Sequence, residues 1–351
     1  MLETNSDQLK RELLKDFYRL TKMIEKETYE TKLLDIVTSI QFIDEMLNNY
    51  CMVYSDQYDF NKMYIKYNKY FKREIHNELL EVKHRINQLK NNIDIYKTIH
   101  NTSREVIKNF KIFKDSVNIT PTNLTKEEFY SILFSLPYDQ FTDHIKKQFT
   151  SKKVYIDVAD DYDEIFSNGM EYSLKPLKKH YHVVESKNKY SYLSIFSAIH
   201  ELSHSYVKNT YNTDTTFNIF GEVVPYLNEF KTIDYLINND KGINDSIINF
   251  QGIIINLKKC YNHKFKLSNY KTYNLQQYNI GELVAFNFYE MYKSDENAYK
   301  YYLDYFCKNI DIIEPIELLK KSNISLDSLT SGDTSKRLIK KYIEDYTKIK
   351  S

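Results

Sequence analysis

Apolar residues recur at intervals of three and four over most of this chain. In LLDIVTSIQFIDEMLNNY (33–50) they fall at Leu33, Ile36, Val37, Ile40, Phe42, Ile43 and Leu47. That stripe is the buried face of an amphipathic helix. EIHNELLEVKHRINQLKNNIDIYKTIH (74–100) continues the pattern, so residues 8 to about 117 read as a scaffold of long helices. NITPTNLTKEEFYSIL breaks it. Asn118 to Asn123 are turn-like around Pro121, and Thr125 then caps a new helix with Glu128 three residues on. The period shifts between 153 and 187. KVYIDVAD and KHYHVVES are short β-branched and aromatic runs that predict strands, with Asn168-Gly169 as a turn signal between them. The HYHVVES strand either presents an exposed edge with which an extended peptide could pair, or is an ordinary strand that closes a small sheet. Helical periodicity resumes near Tyr190 and runs to the end, with polar turn regions around 238–246 and 262–272. The expected fold is mainly α, with a small β-sheet next to the helix over 192–207. An N-terminal helical region, 1–120, precedes a catalytic region, 121–351, in one compact unit.

Composition agrees with this picture. Only 6 Gly and 5 Pro interrupt 351 residues, which suits long helices. Lys plus Arg total 49 against 48 Asp plus Glu, and no basic run stands out, so nucleic acid is not an expected partner. The three cysteines, Cys51, Cys260 and Cys307, are far apart and form neither a disulfide framework nor a CxxC metal motif. No apolar run is long enough for a membrane span, and the first residues lack a signal-peptide core. A reducing cytoplasm is the expected location.

The candidate chemistry lies in YLSIFSAIHELSHSYV (192–207). His200 and His204 are one helical turn apart, so their imidazoles project from one face and can hold one metal ion. Zinc favours such nitrogen ligands. Glu201 is turned about 100° around the helix, off the ligand set but within reach of a water at the metal. Two histidines at this spacing also occur as one core and one surface residue, so a third ligand has to decide. FGEVVPYLNEF supplies Glu222 at the start of the next apolar helix, after the polar loop KNTYNTDTTFN. Pro225 is tolerated there because it falls in the first turn. Glu229, two turns on and on nearly the same face, is placed to accept the free ring N–H of a ligand histidine, or else to stand as a solvated carboxylate.

These motifs resemble the oligoendopeptidase F group of the thimet oligopeptidase family. Those zinc peptidases typically show HELGHS, followed by a Glu-x6-Glu pair on the next helix. Here the segments are HELSHSY and GEVVPYLNEF, with Glu222 and Glu229 as the pair. YNIGELVAFNFYEMY, from Tyr278, is similar to the family's Tyr-Ala-Thr-Gly motif, and EPIELLKKSNISL to its C-terminal PIELLKKAG segment. The likeness runs in the same order over roughly 153–345, in a chain shorter than typical members. Ser203 stands where the family usually has Gly. The loop before Glu222 is shorter, and LSNYKTYNLQQY lacks the family's upstream His.

The resemblance implies a substrate cleft, one Zn2+ per chain on His200, His204 and Glu222, Glu201 as general base, Tyr278 as donor to the developing oxyanion, and short or unfolded peptides as substrate. Tyr273 and Tyr289 are alternative donors. Two other readings stand beside it. One is a peptidase dedicated to a single leader, signal or toxin peptide. The other is a helical interaction protein that keeps a vestigial zinc motif.

Overall fold

The periodic stripes of the N-terminal third fold into α1 (Asn5–Ile24), α2 (Glu30–Tyr50), α3 (Phe60–Leu89) and α4 (Ile93–Lys108). The structure, a computed structural model, describes residues 5–50, 60–108, 122–150, 154–157, 169–185, 190–213, 215, 217–239, 241–262, 264–266 and 270–350. α3 bends at Tyr67, where φ of −112° and ψ of 19° leave the helical region. Most of the break at 118–124 lies outside the described residues. Beyond it, Thr125 caps α5 (Lys126–Phe134) with the expected capping box. Its hydroxyl accepts from the Glu128 N–H at 3.1 Å, and the Glu128 carboxylate accepts from the Thr125 N–H at 2.7 Å. Two helix-start donors are thereby satisfied reciprocally. α6 (Asp139–Thr150) follows.

The sheet has three strands, β1 (Val154–Asp157), β2 (Gly169–Leu174) and β3 (Lys179–Glu185), in the order β1-β3-β2. Two sequence expectations change here. GMEYSL, where the sequence offered only the turn signal at Asn168-Gly169, is strand β2, with Tyr172 and Leu174 buried on one face. Asn168 lies outside the described residues; the observed reversal is the 3-10 turn Lys175–Leu177, with Lys178 in the left-handed region at φ 51°. β3 is the central strand and not an edge. It pairs antiparallel with β2 (Tyr172 opposite Tyr181) and parallel with β1 (Val154 opposite His182). From His182 to Val184 it is paired on both sides, so that stretch offers no free edge to a peptide.

The remaining helices are α7 (Tyr192–Tyr211), α8 (Val223–Asn238), α9 (Ile243–Asn262), α10 (Tyr270–Ser294), α11 (Glu296–Asn309), α12 (Pro315–Lys321), α13 (Leu326–Ser331) and α14 (Asp333–Lys350). The fold is thus mainly helical with one small sheet. No helix among the described residues is long and apolar enough to cross a membrane.

The chain divides into two compact units, each assembled from two segments: 1–80 with 123–202, and 81–122 with 203–351. In the first, Leu9, Leu13 and Phe17 of α1, Val37, Ile40 and Ile43 of α2, and Tyr172, Leu174 and Tyr181 of the sheet form one core. Each aliphatic or Phe side chain among them contributes roughly 1.5–3 kcal/mol on burial. Asp16, fully buried, is satisfied there by Lys179 Nζ at 2.7 Å and the Tyr181 hydroxyl at 2.5 Å. In the second unit α10 is the hub. It packs against α4, α8, α9, α11 and α14. Phe230 of α8 stacks on Phe286 of α10 with ring centroids 4.5 Å apart.

Candidate metal centre

α7 is a continuous helix with about half of its positions buried. The partly accessible ones include Leu193, Ser197, His200, Glu201, His204 and Lys208, which recur at three- and four-residue steps. The chemically capable residues of HELSH, His200, Glu201 and His204, are thus all reached by solvent, while Ile195, Phe196, Ile199 and Leu202 anchor the buried side.

The loop after α7 returns the chain to Glu222, the residue just before α8, and that carboxylate is 8% exposed. Its Oε2 lies 3.6 Å from His204 Nε2. One ligand atom from each of His200, His204 and Glu222 lies within 4.8 Å of the other two. Atoms that close around one point match a single ion at bond lengths of about 2.0–2.2 Å. No other such group of three occurs among the described residues. The donor set, two imidazoles and one carboxylate, is the kind that suits zinc and leaves a position open for a substrate or water.

Several polar contacts around this group were not visible in the sequence. Ser203, fully buried inside HELSH, accepts a 2.9 Å hydrogen bond from the Asn228 amide, which is also buried. This bond links α7 to α8, so it ties His204's helix to the helix that Glu222 opens. Glu229 is buried, not solvated, and accepts from Asn249 Nδ2 at 2.8 Å. Glu282 on α10 is 1% exposed. Burial, and then the negative charge of Glu229, hold its carboxyl well above the usual carboxylate range. A Ser, an Asn and a Glu on helical stripes look like ordinary polar positions until neighbouring helices are placed.

The three candidate tyrosines differ in burial and surroundings. Tyr278 is half-buried on α10. Tyr273 is 1% exposed and donates to the Phe217 carbonyl at 2.6 Å; burial pushes its phenol further up. The Tyr289 hydroxyl is engaged with that of Tyr342 at 2.7 Å. Cys307 is buried and free, and burial raises its thiol far above the reactive range.

The sequence matches no protein-family model and no curated protein. Solved structures resemble the fold. A candidate peptidase from Chlamydophila abortus is 13% identical at a TM-score of 0.47, with 95% of this chain and 63% of that one covered. A candidate oligoendopeptidase F is 11% identical at 0.49, covering 97% and 76%. Another, from Bacillus anthracis strain Ames, is 13% identical at 0.49, covering 90% and 63%. The chain thus spans less than two thirds of the length of the first and third of these proteins.

Proposed function

We propose that the chain is a zinc-dependent endopeptidase that hydrolyses short or unfolded peptides. The observation that carries this reading is the convergence of His200, His204 and Glu222 within 4.8 Å, with Glu201 partly accessible beside His200 on α7. When bound, zinc supplies Lewis acidity that polarises a carbonyl and makes water more acidic. His200, His204 and Glu222 hold it. Glu201, turned away from the ligand set, takes the proton from the attacking water and delivers it to the departing nitrogen. That delivery lets the amine leave neutral as the C–N bond breaks. Tyr278 donates to the oxygen on which negative charge develops. Glu229 takes the ring N–H of a ligand histidine and holds that ring's tautomer. The choice of peptide as substrate rests on the resemblance of HELSHSY, GEVVPYLNEF and YNIGELVAF to oligoendopeptidase F motifs.

Glu201→Gln tests the assignment. It should retain zinc and lose peptide hydrolysis by at least about a hundredfold. Full hydrolysis with zinc still bound would show that Glu201 is not the base.

A further inference from the structure

Gly281 sits deep inside α10, where glycine is a poorer helix former than alanine. It is not among the residues with positive φ, so backbone freedom does not explain it. Space does. A Cβ on Gly281 would lie 2.8 Å from the Glu222 Cβ and 3.3 Å from its Cα and carbonyl carbon. The α10 backbone is therefore in direct contact with the carboxylate residue of the candidate metal centre.

Two more contacts lie on the same face of α10, one and two turns earlier. The Gln277 amide donates to the Asn218 carbonyl at 2.6 Å, and the Tyr273 hydroxyl donates to the Phe217 carbonyl at 2.6 Å. Positions 273, 277 and 281 form one stripe. Their partners, Phe217, Asn218 and Glu222, follow in the same order. The gripped segment is itself tight. The Asn218 side chain accepts from the Phe220 N–H at 2.9 Å and donates to the Ile310 carbonyl at 2.7 Å. The Gly221 N–H closes a turn onto the Asn218 carbonyl at 2.9 Å. A Cβ on Gly221 would meet the Thr215 carbonyl oxygen at 2.5 Å. A segment held at 217, 218 and 222 and packed this closely has little room to shift.

We infer that the Tyr273–Gln277–Gly281 stripe of α10 positions Glu222 for the metal ion, with Gly281 as the residue whose missing side chain permits the approach. The inference rests on the zinc reading above. It gives Tyr273 a positioning role and leaves the oxyanion to Tyr278.

The test is zinc affinity of the full chain, measured by competition with a chromophoric chelator. Gly252, inside α9, is the control, because a Cβ there would meet nothing within 4 Å. Gly252→Ala should bind zinc as the parent does. Gly281→Ala should keep its helical circular dichroism and bind zinc about 10- to 100-fold more weakly. If Gly281→Ala binds as tightly as the parent, the inference is overturned and the zinc reading stands. If the parent binds no zinc, both fall. Should Gly281→Ala fail to fold, Glu222→Gly/Gly281→Ala decides, since it removes the Cβ that the new methyl would strike. A folded double variant with a urea midpoint near that of Glu222→Gly supports the contact; a double variant that also fails to fold overturns it.

Discussion

Removing the Ser203 hydroxyl should weaken the junction between α7 and α8 by a calculable amount. Ser203 is fully buried and Asn228 is 5% exposed, so water cannot replace the 2.9 Å bond between them. Ser203→Ala strips the Asn228 amide of this partner, at a desolvation cost of about 1–3 kcal/mol. Alanine is the better helix former by roughly 0.5 kcal/mol, which leaves a net loss of about 0.5–2.5 kcal/mol. The affected unit has roughly 190 residues, for which about 2–4 °C accompanies each kcal/mol. Thermal unfolding followed by circular dichroism should therefore shift down by about 1–10 °C. Asn228→Ala leaves a different remainder, because a helical serine can turn its hydroxyl to the carbonyl one turn back. The double variant should cost less than the sum of the singles, by about 0.5–1.5 kcal/mol. Strict additivity would refute the bond as a fastener.

Two further outcomes follow from the same region. With its carboxyl held well above the ordinary 4.5, Glu282 binds its proton more tightly in the folded chain than in the unfolded one. The stability it contributes is full below pH 4.5 and is lost as the pH rises towards the raised value. Glu282→Gln should thus leave the urea midpoint unchanged at pH 4 and raise it progressively by pH 8; a gain independent of pH would contradict this. Tyr278→Phe should lower kcat by about 10²–10³ with KM and zinc content near those of the parent. An effect confined to KM would remove Tyr278 from the oxyanion role.

The helical architecture was legible because periodicity is a local property. The polar turn regions at 238–246 and 262–272 coincide with the gaps between α8 and α9 and between α9 and α10, and Thr125 and Glu128 announce the α5 cap. Strand neighbours are not local. Nothing in KHYHVVES says that β1 and β2 flank it, so the sequence left an edge strand and an ordinary sheet strand equally open. At the candidate centre, the spacing of His200, His204 and Glu222 was enough to nominate residues that the fold brings within 4.8 Å. What supports them was not readable. Ser203 and Asn228 meet across two helices, and Gly281 looks like a weak point in α10 until Glu222 is seen against it. The one cue was the four-residue repeat of Tyr273, Gln277 and Gly281, which only the placement of residues 217–222 makes meaningful.

Zinc content tests the account most directly. After purification with zinc supplied and excess metal removed, the parent should carry about one zinc per chain by elemental analysis. His204→Ala and Glu222→Ala should carry far less, and Glu229→Gln should stay closer to the parent. A parent without zinc, or a His204→Ala chain that holds as much as the parent, would contradict the metal centre on which the proposed hydrolysis depends.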